Sequence, residues 1–353
     1  MSVMIPIGKP VIGQEEIEAV VSVLKSGILT QGEYVNKFEK ALAEYCDYRH
    51  AVVVNSGTAA LHLSMLAMGI NGNVAVPDFT FAATAGTVKL SGGAPVFLDV
   101  DEKTFNLDTS KLRENLNGIQ AVVPVSLYGQ PYDIDETIKM CKDSGIKVIS
   151  DNAQSIGAEW KGNRNFGDDV SIFSFYPTKN ITTAEGGAIL TDDIEIANEC
   201  MSLRNHGQKE RYLYQQVGYN CRMTELSAAM GLVQLSRLDE FIRKRVENAR
   251  ILTDLLHDAK VEPPFIDKRS KHVFNQYTIK TDKREALIKN LKLNDIGYGI
   301  YYPSPLHLEK AFLSKANCPV TEILCGKVIS LPIHPSVTED DLHKIADVVK
   351  RSA

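Results

Sequence analysis

No two of the six cysteines, at positions 46, 141, 200, 221, 318 and 325, stand as a CxxC pair, so neither a disulfide framework nor a zinc site is indicated. They read as small apolar residues, most of them buried. Metal-ligand spacing is equally absent around His206, His307, His334 and His343. The net charge is only -5, with no basic block and no stripe of Lys or Arg interleaved with aromatics, which argues against a nucleic-acid surface. The longest uncharged stretch, AVVVNSGTAALHLSMLAMGINGNVAVP at 51–77, is broken by NSGT and GINGN into pieces too short for a membrane span. The first residues, MSVMIPIGKPVIG, lack the basic segment and apolar core of a signal peptide, so the cytoplasm is the expected compartment. No GxxxxGK[ST] loop occurs, and GILTQGE at 27–33 has no lysine, which excludes a Walker-type phosphate loop.

What is present is a regular alternation. Seven short apolar runs, AVVV (51–54), VAVP (74–77), PVFLDV (95–100), AVVPVS (121–126), KVISD (147–151), SIFSF (171–175) and AILT (188–191), predict seven strands. Helical patterns lie between most of them, at 58–69, 80–92 and 132–145. Apolar strands alternating with helices predict an α/β fold with a mainly parallel sheet covered on both faces. The last two strands are joined too tightly for a crossover helix and are expected to pair antiparallel. From about residue 224 a long charged helical run extends to His257 with few breakers, followed by a mixture of strand (275–280) and helices (283–294, 338–353). The 353 residues therefore divide into a large domain over 1–235, with an N-terminal arm, and a smaller α+β domain over 236–353.

In an open α/β sheet, ligands sit beyond the carboxyl ends of the strands, so the residues following each strand carry the functional signal. After AVVV come Asn55, Ser56, Gly57 and Thr58, leading directly into a helix. Such a turn offers free N–H groups and hydroxyls to a phosphate, although Ser56 or Thr58 could simply cap the helix. After KVIS comes Asp151, either a carboxylate awaiting a cation or another cap. After SIFSF, Ser174 and Lys179 approach the same edge; a lone lysine is more often a solvated surface residue. Taken together, a phosphate cradle, a carboxylate and an amine on strand ends of one sheet suit pyridoxal 5'-phosphate (PLP).

These residues lie in segments that resemble the DegT-type (DegT/DnrJ/StrS) nucleotide-sugar aminotransferases of PLP fold type I. The likeness runs from IPIGKPVIGQEEIEAVV through VNSGTAALHLSMLAMGI, VPDFTFAATAG, DNAQSIGAEWKG, FSFYPTKNITTAEGGAILT, LRNHG and GYNCRMTELSAAMG to YYPSPLH and LPIHP. It implies that Lys179 holds PLP as an internal aldimine, that Asp151 binds the pyridine nitrogen, and that Gln154 approaches the phenolic oxygen. Phe81 would stack on the ring. Gly57, Thr58 and Ser174 would hold the phosphate, joined by Asn220 of the neighbouring subunit, so a homodimer with a shared site is implied. Arg222, His307 and His206 would lie near the sugar. The implied reaction moves an amino group from L-glutamate, leaving 2-oxoglutarate, to a nucleotide-linked keto sugar in amino-sugar and surface-polysaccharide biosynthesis. No metal, nucleic acid or membrane partner is implied. Two departures stand out: Ser150 precedes Asp151 where an acid is usual, and Cys221 replaces the usual aromatic between Asn220 and Arg222. The alternatives are a regulator that binds PLP or a sugar nucleotide without turnover, and a PLP enzyme of the same family with another reaction.

Overall fold

A computed structural model describes residues 4–352. All seven expected strands form and share one sheet: β1 (His50–Val54), β2 (Asn73–Pro77), β3 (Ala94–Leu98), β4 (Ile119–Val122), β5 (Lys147–Asp151), β6 (Val170–Ser174) and β7 (Gly187–Thr191), in the order β1-β7-β6-β5-β4-β2-β3. The pairings among β2 to β6 are parallel, whereas β7 runs antiparallel to both its neighbours, β6 and β1. Only β7 is reversed, because the chain between Ser174 and Gly187 contains no helix to carry it back to the starting edge.

The strands are apolar on both faces because both faces are covered. Val52 and Val54 pack with Leu61, Leu63 and Met65 of the helix Gly57–Ala67, while Ala51 and Val53 point the other way onto Phe38 and Leu42 of the helix Glu33–Cys46. The same alternation sends Ile172 and Ile189 to the first layer and Phe173, Ala188 and Leu190 to the second, as the two-residue period of a strand requires. Each fully buried side chain of the size of Phe38 or Leu42 contributes about 1.5–3 kcal/mol.

The long helical run is not continuous. It forms Glu225–Ser236 and Leu238–Leu255, interrupted at Arg237, whose φ of -102° and ψ of -2° depart from ideal helical values. No glycine or proline marks the break; different packing partners do. The first helix lies on the two N-terminal helices, where Glu16 accepts hydrogen bonds from Gln234 Nε2 (2.7 Å) and Arg237 (3.1 Å). The second runs to the C-terminal lobe, where Asn248 donates to the carbonyls of Ile333 (3.3 Å) and His334 (3.2 Å). That lobe has an antiparallel pair, β8 (Tyr277–Lys280) with β9 (Val328–Leu331), and its own apolar cluster of Leu252, Ile279, Leu291, Ile329 and Ile345. Ile5 belongs to this cluster, its N–H donating to Asp295 O at 2.9 Å.

Candidate active site

Because β1, β2, β5 and β6 run in one direction, their carboxyl ends meet at one edge of the sheet. There they enclose a cavity of about 410 Å³ lined by Ser56, Gly57, Thr58, Thr80, Phe81, Asp151, Gln154, Ser174, Tyr176, Lys179, Glu185, Tyr301 and Tyr302, among others. A small-molecule site of this volume is ordinary for an enzyme. Seven of the sequence-derived candidates, Gly57, Thr58, Phe81, Asp151, Gln154, Ser174 and Lys179, thus line one space.

The anion cradle comes from β1. Ser56 caps the helix Gly57–Ala67, its hydroxyl accepting from Ala59 N–H at 3.1 Å, so the capping role weighed from the sequence is real. It does not use the N–H groups of Gly57 and Thr58, which no helical carbonyl can reach. Glycine is required at 57 because a Cβ there would stand 2.8 Å from Ser174 Cβ and 3.3 Å from its hydroxyl. Ser174 Oγ therefore sits at the same helix end.

Asp151, at the end of β5, is buried. Its Oδ2 accepts from the Thr84 hydroxyl (2.8 Å) and its Oδ1 from Ala153 N–H (3.2 Å). Burial pushes its carboxyl above the usual range, against the opposing pull of those bonds and of Lys179. Such a carboxylate favours a further cation beside it. Gln154 is oriented by its neighbour: its Oε1 accepts from Tyr128 N–H at 2.7 Å, and its Nε2 donates to Tyr302 Oη at 3.3 Å.

Lys179 lies on the loop between β6 and β7. The carbonyl of Phe175 accepts from Thr183 N–H (3.0 Å) and the Thr182 hydroxyl (2.9 Å), closing the loop and setting Lys179 at the cavity. Burial pushes its amine down to about 8, while Asp151 pulls the other way. The left-handed residue of this loop is Ala184, at φ 66°. The following glycines have another purpose: a Cβ on Gly187 would lie 2.5 Å from the Ser56 carbonyl carbon and 2.7 Å from Gly57 N, so Gly187 lets β7 pass against the cradle.

The other candidates stand elsewhere. Asn220 and His206 are exposed and Arg222 is half-buried, and none of them lines the cavity. They form a strip behind the cradle: Cys221 O accepts from Asn55 N–H (2.9 Å), Tyr219 O accepts from His206 N–H (2.9 Å), and Arg222 donates to Asn205 Oδ1 (2.7 Å). His307 is buried away from the cavity, its Nδ1 2.6 Å from Asp78 Oδ2. Among the described residues, Asp78, His307 and Cys318 are the one group whose composition could hold a metal ion. Two of the atoms an ion could use, Asp78 Oδ2 and His307 Nδ1, are already engaged with each other in that direct hydrogen bond. The sequence reading did not single out Thr80, Thr84, Tyr301 or Tyr302. The pair YYP was visible within the family-like segment YYPSPLH, whereas Thr84 carries no local signal because its partner Asp151 lies 67 residues away.

A model of the DegT/DnrJ/EryC1/StrS aminotransferase family matches residues 10–350. The chain belongs to that family. It is 36% identical to a pleiotropic regulatory protein of Geobacillus stearothermophilus, over 94% of this chain and 93% of that one. It is also 36% identical to the UDP-2-acetamido-2-deoxy-3-oxo-D-glucuronate aminotransferase of Pseudomonas aeruginosa, over 89% of each. The solved structure of S. venezuelae DesV, in complex with a ketimine intermediate, superposes with a TM-score of 0.93 at 31% identity, covering 96% of this chain and 94% of that one. The fold of this family member is that of the PLP aminotransferases, as the seven-stranded sheet already indicates.

Proposed function

We propose that this protein is a PLP-dependent aminotransferase that moves an amino group from L-glutamate to a keto group of a nucleotide-linked sugar. The observation that carries the reading is the meeting of an amine, a carboxylate and a helix N-terminal cradle around one cavity. The residues fit the cofactor: Gly57 leaves open the space a Cβ would fill, and the buried Asp151 has only a hydroxyl, an N–H and the Lys179 charge to offset its desolvation. When bound, PLP supplies an electrophilic carbon for amines and an electron-withdrawing ring.

Each residue then has a task. Gly57 and Thr58 would hold the phosphate through N–H groups and the Thr58 hydroxyl, with Ser174 Oγ beside them. Asp151 would keep a proton on the pyridine nitrogen, gaining the cation its buried carboxylate favours. Gln154, its oxygen engaged by Tyr128, would present N–H groups to the phenolic oxygen. Phe81 would cover the ring face. Lys179 would hold the cofactor and, once displaced by the donor, its Nζ would take the proton from the donor α-carbon, a transfer suited to an amine pushed down to about 8.

Asn220 of the partner subunit would complete the phosphate site, with Arg222 and His206 near the sugar, making a homodimer the smallest working unit. The cytoplasm is the compartment we favour: all six cysteines are free thiols, as a reducing environment keeps them, and among the described residues no helix is long and apolar enough to cross a membrane.

The likeness to a regulatory protein supports a second reading, a passive binder. The two separate on incubation with UDP-, dTDP- and GDP-linked 3-keto and 4-keto sugars plus glutamate, followed by mass spectrometry. Transfer predicts an amino sugar and 2-oxoglutarate from the native protein and none from Lys179→Ala. Failure of the native, PLP-loaded protein to release 2-oxoglutarate with any sugar would favour the passive binder, and an altered product would indicate another PLP reaction.

A further inference from the structure

We infer that His307 is a positioning residue: its bond to Asp78 fastens the segment carrying Tyr301 and Tyr302 to the strand end carrying Thr80 and Phe81, and so sets the gap between the cavity's aromatic walls. The meaning of those walls rests on the aminotransferase reading above; the fastening itself does not.

Asp78 follows β2 directly and is 0% exposed. Its Oδ1 accepts from His307 N–H (2.7 Å), its Oδ2 from His307 Nδ1 (2.6 Å), and its carbonyl from Leu306 N–H (3.3 Å). Three bonds thus join Asp78 to Leu306 and His307, the latter 229 positions away in the chain. Both carboxylate oxygens and one ring nitrogen are committed, and the other nitrogen, Nε2, faces Glu322 Oε1 at 3.7 Å.

Both ends of the clasp lead into the cavity. On the sheet side, the Thr80 and Thr84 hydroxyls are 3.1 Å apart, and the Thr84 hydroxyl donates to Asp151 Oδ2. Phe81 follows Thr80 and is 58% exposed in this single chain. On the other side, Tyr302 lies with its ring centroid 6.2 Å from that of Phe81 and 6.1 Å from that of Phe79. Tyr302 also receives the Gln154 bond, and the Tyr301 carbonyl accepts from the Tyr128 hydroxyl. The clasp anchors the end of this segment that the Gln154 and Tyr128 contacts do not reach.

The two ring nitrogens give a discriminating test. Asparagine places an amide N–H where Nδ1–H stands, whereas glutamine reaches toward the position of Nε2. For a clasp, His307→Asn should keep the PLP dissociation constant and the KM for the keto sugar within about twofold of native. His307→Gln and His307→Ala should raise both by about tenfold, the size expected for one charge-assisted hydrogen bond. Hydrogen exchange of the peptide 299–312 should quicken in Gln and Ala variants and stay slow in Asn. Rescue by glutamine and not by asparagine would overturn the proposal in favour of direct action through Nε2. Unchanged PLP dissociation and KM despite faster exchange would reduce the clasp to a stabilising contact and overturn it as well, as would unchanged exchange in every variant. If His307→Ala does not fold, the Asn and Gln pair decides. If the native protein transfers no amine to any sugar, the aminotransferase reading fails, while exchange and PLP dissociation still judge the clasp.

Discussion

Lys179 sits where a cation is costly, and Asp151 only partly offsets that cost, so burial pushes its amine down from 10.5 to about 8. Capture of an aldehyde needs the neutral amine. The rate at which apoprotein takes up PLP, followed by its visible absorbance, should therefore fall about tenfold per pH unit below 8 and level off above it. A rate that keeps climbing to pH 10 would mean that the amine is not desolvated. Gly57 makes a steric prediction. Because an added Cβ would meet Ser174 Cβ at 2.8 Å, Gly57→Ala should cost about 1–3 kcal/mol of local fit. Equilibrium titration should show PLP bound at least about tenfold more weakly, and the thermal midpoint of the apoprotein should fall by a few degrees because the clash is present without cofactor. The approach of these residues to one cavity was legible in the sequence because each lies at or within a few residues of a strand's carboxyl end. The bond of His307 to Asp78 was not legible: the two are 229 residues apart, and no local spacing announces a bond of that reach.

Elements follow the same rule of local against distant cause. The seven strands were readable as β-branched runs, and the reversal of β7 followed from the short loop before it. The break at Arg237 was not readable, since the residues on either side favour helix and only their separate packing partners divide them. That joint is held through Glu16, which is 1% exposed. Burial pushes the Glu16 carboxyl up, but hydrogen bonds from Gln234 and the Gly13 N–H, with the Arg237 charge, more than offset it and leave the group below its usual 4.5. A carboxylate lowered on folding adds stability above its ordinary pKa and loses it as pH falls through the lowered value. Arg237→Met keeps the packing stem and removes the charge. It should cost about 1–3 kcal/mol near pH 7, read by urea denaturation, and the gap from the native protein should close as pH falls below 4.5. An equal gap at pH 3 and pH 7 would mean that the loss is one of packing.

At the scale of the whole molecule, the cavity of one chain is incomplete for the chemistry proposed. Among the described residues, Lys179 is the only basic side chain in its lining, beside the acids Asp151 and Glu185, yet its ligands would be a phosphate, a dicarboxylate and a nucleotide sugar. Further cations and donors must approach from outside. The strip of His206, Asn220 and Arg222 carries such groups but does not line its own chain's cavity, and Tyr212, Leu213, Tyr214 and Val217 beside it are exposed, as an unmet interface would leave them. If that strip serves the partner subunit, two defective chains should repair each other. In a mixed dimer of Lys179→Ala and Asn220→Ala, the site built on the first chain lacks its amine and is dead. The site on the second has its own Lys179 and receives the native Asn220 of the first. Random exchange of equal amounts makes half the dimers mixed, each with one good site, so activity should rise to about a quarter of native when PLP is held too dilute to load Asn220→Ala alone. If Asn220 acts within its own chain, every site carries a lesion and mixing restores nothing. Activity after co-refolding or co-expression, compared with the sum of the separate variants, decides between the two.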